Sequence, residues 1–126
     1  MELDGKNEIP IFQKIANQLE NAIFLGAYEE ETKIPSTTEI SMQYKINPAT
    51  VLKGMNLLAE KNLIYKKRGI GMFVSKGARQ TIIKSHEIAF SKDFVKPLIK
   101  EAKKLGMEKE EINTLIKKEY SIETWI

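Results

Sequence analysis

Cysteine is absent from these 126 residues, and histidine occurs once, at His86. The first absence removes disulfides, thiolate catalysis and cysteine-based zinc sites together, and the second leaves the usual metal clusters without ligands. A serine nucleophile also lacks its ordinary base, because His86 falls on an apolar-spaced helix where a packed or interface role fits better. Long apolar runs are missing too. Nothing near Met1 couples a basic stretch to an apolar one, so neither a membrane span nor a signal peptide is readable. A chain of this length buries a modest core, enough for one small domain with an appendage and too little for a large cofactor-binding enzyme. The expectation is a cytoplasmic protein with no metal, no cofactor and no catalytic activity.

What is present is unevenly charged. Residues 1–44 hold three Lys against eight Asp/Glu, a net −5. From Lys45 to Lys76 there are six Lys and Arg68 against Glu60 alone, a net +6, and residues 77–126 carry ten cations and eight anions, a net +2. Positive charge concentrated on one segment is the footprint of a polyanion-binding surface, set against the simpler reading of a solvated basic face. The carboxylate runs Glu29-Glu30-Glu31 and Glu108-Lys109-Glu110-Glu111 read as solvated faces.

The basic segment contains the stretch around which the chain is organised, Asn47 to Lys61. Asn47 caps a helix and Pro48 follows where its missing N–H costs nothing. Val51, Met55 and Leu58, with Leu52 and Ala59 alongside, give an apolar stripe, while Asn47, Thr50 and Lys53 point away from it. Short polar side chains followed by a cation suit a helix end pressed into a DNA groove.

Before it, residues 1–8 read as a flexible arm. Phe12, Ile15, Ala16, Leu19, Ala22 and Ile23 keep helical spacing from Pro10 to a stop at Gly26. An acidic turn follows, and Lys33-Ile34 form a very short strand before Pro35. Ser36 and Glu39 have capping-box spacing, so a short helix covers about Thr37 to Tyr44. Lys45-Ile46 then join two helices across a tight turn, the outline of a helix-turn-helix. After Asn62, Leu63-Ile64-Tyr65 and Met72-Phe73-Val74 make two strands around the basic turn Lys66-Lys67-Arg68-Gly69-Ile70-Gly71, a hairpin placed as a wing. Gly69-Ile70-Gly71 lacks the third glycine and the following helix of a dinucleotide site.

Beyond Gly77, Ile82, Ile83, His86, Ala89, Phe90, Phe94, Leu98 and Ala102 track along a long helix to Leu105, stopped by Gly106 and kinked or locally broken at Pro97. A last helix, about Glu108 to Tyr120, aligns Ile112, Leu115 and Ile116. The two carry more apolar surface than they can bury on each other. Ile82, Ile83, Phe90, Phe94, Leu98, Ile112, Leu115 and Ile116 are therefore expected to form a dimer interface, set against packing back onto the winged domain, with Trp125 either sealing the interface or lying in a frayed tail. The fold class is α+β, mostly α: a winged helix-turn-helix over residues 9–76 and a short two-helix C-terminal dimerisation element over 77–126.

The run from Ile9 to Val74 resembles the N-terminal domain of the GntR family of bacterial transcription regulators. The matching residues are Pro10-Ile11-Phe12-Gln13-Lys14-Ile15, Ile34-Pro35-Ser36, Asn47-Pro48-Ala49-Thr50-Val51 and Arg68-Gly69-Ile70-Gly71-Met72-Phe73-Val74. The short tail is similar to that of the YtrA-type subfamily, in which it serves dimerisation. The resemblance implies a sequence-specific, homodimeric DNA-binding regulator, a repressor by expectation, at a palindromic operator such as that of a transporter operon. It places DNA contacts at Ser36, Thr37, Thr38, Asn47, Pro48, Ala49, Thr50, Lys53, Lys66, Lys67, Arg68, Gly69 and Gly71. Three departures bear on base contacts. Thr37-Thr38 stand where relatives often have an Arg, Leu52 stands where Arg or Gln is frequent, and Gly54 replaces the usual Ala. The tail is too short for a separate effector domain, so an effector would have to enter at the dimer interface, where the sequence shows no pocket. The competing class is a winged-helix protein-interaction module that does not read DNA. Such a face should be apolar at its centre, whereas Asn47, Thr50, Lys53 and Arg68 are not.

Overall fold

The computed structural model describes residues 9–122. The expected arm and Trp125 lie outside them. Six helices and one hairpin follow in order: α1 (Ile11–Phe24), α2 (Thr37–Tyr44), α3 (Pro48–Glu60), β1 (Ile64–Lys67), β2 (Gly71–Val74), α4 (Ala78–Phe90), α5 (Lys96–Lys104) and α6 (Lys109–Tyr120). The chain divides into two compact units between Ser85 and His86.

In the first unit α1 packs along α3, and α2 packs on α3. The apolar spacing of α1 points Ile15, Leu19 and Ile23 at Val51, Met55 and Leu58 of α3, and all six are buried with Ile34, Ile40, Leu63, Ile64 and Val74. α1 ends as its sequence suggests: the N–H of Ala27 donates to the carbonyl of Ala22 at 2.9 Å and that of Gly26 to Ile23 at 3.2 Å, the paired bonds of a Schellman close. α2 begins with a complete capping box. Ser36 Oγ accepts from the N–H of Glu39 at 3.0 Å, and Glu39 Oε1 accepts from the N–H of Ser36 at 3.2 Å.

The turn between α2 and α3 has Lys45 in the left-handed region, φ 54°. Two bonds hold it there, from the Ile46 N–H to the Ser41 carbonyl at 3.1 Å and from the Ser41 hydroxyl to the Ile46 carbonyl at 2.6 Å. α3 then starts at Asn47, whose Oδ1 accepts from the N–H of Ala49 at 2.8 Å. It stops at Asn62, φ 61°, which tolerates the left-handed conformation.

The wing pairs β1 with β2 antiparallel, Tyr65 opposite Phe73 and Lys67 opposite Gly71. The Ile70 N–H donates to the Lys67 carbonyl at 3.0 Å, and the turn places Gly69 at φ 78°, where a side chain would be strained. The short strand expected at Lys33-Ile34 is a single bridge, Lys33 with Phe73, extended by a bond from the Ile34 N–H to Met72 at 3.0 Å.

Two expectations need correction. Ile82, assigned above to a dimer interface, is 2% exposed and belongs to the core of the first unit with Ala78. The unit boundary accordingly lies at Ser85, nine residues past Lys76, because the first two turns of α4 supply core side chains. The acidic run is exposed as expected, and two of its carboxylates also hold partners: Glu30 accepts from the N–H groups of Gly77 at 2.7 Å and Arg79 at 3.2 Å at the start of α4, and Glu31 accepts from the Tyr65 hydroxyl at 3.1 Å. Carboxylates suit that position because the first N–H groups of a helix have no internal partner.

In the second unit Pro97 produces a wide turn in place of a break. Residues Ser91–Val95 are π-helical between α4 and α5, and the flanking Phe90 and Lys96 keep α-helical dihedrals. Proline lacks the N–H that would bond four residues back and crowds that carbonyl, and a π turn relieves both faults without ending the helix. α6 opens with a capping box of its own, in which the Glu108 N–H donates to Glu111 at 3.0 Å, so this acidic run is also structural in part.

Candidate nucleic-acid interface

The residues expected to touch DNA lie on the N-terminal ends of α2 and α3 and on the wing, all within the first unit. They do not all face outward. Thr38 is exposed, but Thr37 is half-buried and its hydroxyl donates to Met55 Sδ at 3.3 Å, so it closes the gap between α2 and α3. Ser36 is half-buried with Oγ engaged by the capping box.

On α3 the exposed face runs through Pro48, Ala49, Leu52, Lys53 and Asn56. Spacing of three to four residues sets them on one side of the helix, opposite Val51, Met55 and Leu58. Thr50, expected to point away from the apolar stripe, is half-buried and lines a hollow with Ile11, Tyr44, Lys45 and Ile46. Its place on the outer face is taken by Leu52, 50% exposed. Asn47 is exposed and uses its carbonyl oxygen for the cap, so its NH₂ group remains the donor toward a ligand.

Two of the expected cations are held over aromatic rings. Lys53 Nζ stands 4.1 Å from the centroid of Phe12, and Lys67 Nζ stands 4.3 Å from that of Phe73. The ring faces carry negative charge density and hold the ammonium groups in place. Phe73 is itself braced by Tyr65, at 6.0 Å between centroids. Lys66, Arg68 and Gly69 are exposed, and Gly71 is half-buried beneath Lys33. Burial together with the Glu31 hydrogen bond and charge raises the pKa of Tyr65, so its hydroxyl stays protonated and donates. The bonds from the Ser36 backbone and hydroxyl hold the Glu39 carboxyl below its usual range.

Phe12 and Lys33 are not signalled for this surface by the sequence, and Leu52 and Gly54 enter there only as departures from the family's pattern. Lys33 sits between the wing and the start of α2: a methyl on Gly71 would approach its Cε to 2.7 Å, and its charge helps lower the Glu39 pKa. Its bridge to β2 was signalled by the short strand before Pro35. Gly54 is buried, and a methyl there would stand 2.7 Å from the Phe12 carbonyl oxygen. The chemistry available is that of a grip on a polyanion: exposed cations, an amide donor and one helix end. No helix among the described residues is long and apolar enough to cross a membrane.

Comparison with known proteins agrees with this arrangement. The family described as "Bacterial regulatory proteins, gntR family" matches residues 12–74, which run from α1 to the end of the wing. The transcriptional repressor YtrA of Bacillus subtilis is 28% identical over 117 residues, 93% of this chain and 89% of that one. A crystal structure of a GntR-family regulator from Bacteroides thetaiotaomicron superposes with a TM-score of 0.71 at 34% identity, covering 86% of this chain and 95% of the other. The DNA-binding domain of AraR, solved with operator ORX1, shares the fold at a TM-score of 0.54 and 23% identity over 60% of this chain and 93% of its own. The chain belongs to the GntR family of bacterial regulatory proteins, and it is a DNA-binding transcriptional regulator.

Proposed function

We propose that this regulator is a repressor that binds a palindromic operator as a homodimer. The N-terminal end of α3 enters the major groove, and the Arg68-Gly69 wing tip lies on adjacent backbone. Asn47, Ala49 and Thr38 approach base edges, while Lys53, Lys66, Lys67 and Arg68 engage phosphates. Ser36 and Thr37 position α2, and Thr50 acts from the half-buried edge of α3. The observation that carries the reading is the concentration of exposed cations and helix ends on one face of a domain whose family reads DNA. The naming of YtrA as a repressor supports the direction of control.

Dimerisation through the second unit rests on what that unit leaves uncovered. Phe90 and Phe94 pair at 5.6 Å and are 59% and 65% exposed. Leu98, Leu105, Ile112, Leu115 and Ile116 line an apolar groove of about 380 Å³. Apolar exposure on this scale is disfavoured in an isolated chain, and a two-fold partner removes it. The same copy supplies the second recognition helix that a palindrome requires. Sedimentation of the full chain, alone and with a duplex selected from random sequence, tests both parts: a dimer that binds one duplex is expected, and a monomer that binds half-sites independently overturns the assembly.

A further inference from the structure

Contrary to the expectation from sequence, which put polar Thr50 and Lys53 there, the outward face of α3 has an apolar centre. Pro48 and Ala49 are exposed in the first turn and Leu52 about one turn on, and Leu52 keeps half of its surface in solvent. The neighbouring cation does not fill this space, because Lys53 is drawn toward α1 with Nζ 4.1 Å from the Phe12 ring. Behind Leu52 the helix is pressed against α1 at Gly54, so α3 has no slack to rotate Leu52 inward. An exposed leucine in a segment of net charge +6 is a poor match for a protein partner's apolar surface, which would bring its own desolvation cost at the surrounding lysines.

DNA offers one apolar group on the floor of the major groove, the C5-methyl of thymine. We propose that Leu52, with Ala49, reads thymine methyl groups, so that the operator half-site carries thymine at the base step facing the middle of α3. This rests on the DNA-binding reading above and adds to it a residue and a base. Leucine cannot hydrogen-bond a base edge, so the position selects through the methyl contact alone. Lys53, fixed on Phe12, contributes charge at the flank and no base choice.

The experiment begins with duplexes selected by the full chain from a random library. Each thymine of the selected site is then replaced singly by deoxyuridine, which removes the methyl and nothing else. At the position facing Leu52 the replacement should weaken binding about fourfold, the value of burying one methyl group. A 5-methylcytosine at the same position should recover part of a thymine-to-cytosine loss. In Leu52→Gln the deoxyuridine penalty should vanish, and a repeated selection should return a different base there. Circular dichroism on the variant separates this from misfolding, and Leu52→Met, which keeps an apolar tip, should retain the penalty. Equal deoxyuridine penalties in the wild type and Leu52→Gln overturn the proposal, as does a site at which no thymine methyl matters. If the wild-type chain selects no duplex at all, the DNA reading fails, and it fails distinguishably from this one.

Discussion

Gly54 of α3 and Phe12 of α1 approach so closely that a methyl group on the glycine would stand 2.7 Å from the Phe12 carbonyl oxygen and 3.2 Å from Ile15 Cβ. Helix propensity alone favours alanine over glycine by about 1 kcal/mol. The contact is with backbone, which cannot swing aside as a side chain would, and overpacking of this kind costs about 1 to 3 kcal/mol. Gly54→Ala should therefore lower the urea midpoint of unfolding despite its better propensity. An unchanged or raised midpoint would mean that α1 and α3 separate at little cost.

The same crossing sets Lys53 on the Phe12 ring, and the wing repeats the device with Lys67 on Phe73. Replacing Phe73 with Leu keeps an apolar residue on β2 and removes the ring face that holds the ammonium. Binding to all duplexes should weaken, by no more than the 0.5 to 1 kcal/mol typical of an exposed cation–π pair. In a Lys67→Ala background the Phe73 change should have no further effect on affinity. Equal losses in both backgrounds would assign Phe73 a packing role alone.

Arg68 stands exposed at the wing tip next to Gly69, and neither position is packed against another element. Arg68→Ala should leave stability unchanged, weaken selected and random duplexes by a similar factor, and reduce the slope of log K against log salt by about 0.9, one phosphate contact. If the variant instead loses preference for the selected duplex with an unaltered salt slope, Arg68 reads bases.

Glu39 shows how a cap becomes a pH dependence. Its carboxyl is held below the ordinary range by the Ser36 backbone and hydroxyl, so the folded state favours the ionised form. A group whose folded pKa is depressed stabilises above its unfolded pKa, near 4.5, and that contribution disappears as pH falls through the lowered folded value. Glu39→Gln retains the acceptor but not the charge. The stability gap between wild type and Glu39→Gln, from urea midpoints, should be present at neutral pH and close as pH drops below 4.5. A constant gap across that window would leave the charge without a role.

Much of this was legible in the sequence because the responsible forces are local. Capping boxes, helix stops and the hairpin turn act over a few residues, and Ser36, Asn47, Asn62 and Gly69 behave in the structure as their spacing indicates. The misreadings involve partners far along the chain. Thr37 turns inward because Met55, eighteen residues on, offers its sulfur. Glu30 is exposed as its run suggests, but its bonds to the start of α4, forty-seven residues later, lie beyond any local reading. Thr50 and Leu52 exchange roles at the two edges of the buried stripe Val51, Met55 and Leu58, because helical spacing fixes the edges of a stripe to within about one residue only. Ile82 was assigned to the tail by its place after Gly77, although the first unit lacks a lid without it.

That reassignment decides where the chain can be cut. A chain ending at Lys76 loses Ala78 and Ile82, both at most 2% exposed, together with the Arg79 contacts to Phe24 and Glu30. Removing a buried isoleucine side chain costs about 2 to 5 kcal/mol, a large share of the stability of a domain this small. A chain ending at Ser85 keeps all of these groups and omits the exposed Phe90, Phe94, Leu98 and the groove between α5 and α6. The longer fragment should unfold cooperatively, sediment as a monomer and keep salt-dependent binding to random DNA. It should also lose most of its preference for a palindrome, because the second half-site is no longer reached by a tethered copy. The shorter fragment should unfold at markedly lower urea. If the fragment ending at Ser85 sediments as a dimer, the interface lies within the winged unit, and Phe90, Phe94, Leu98, Ile112, Leu115 and Ile116 are exposed for another reason.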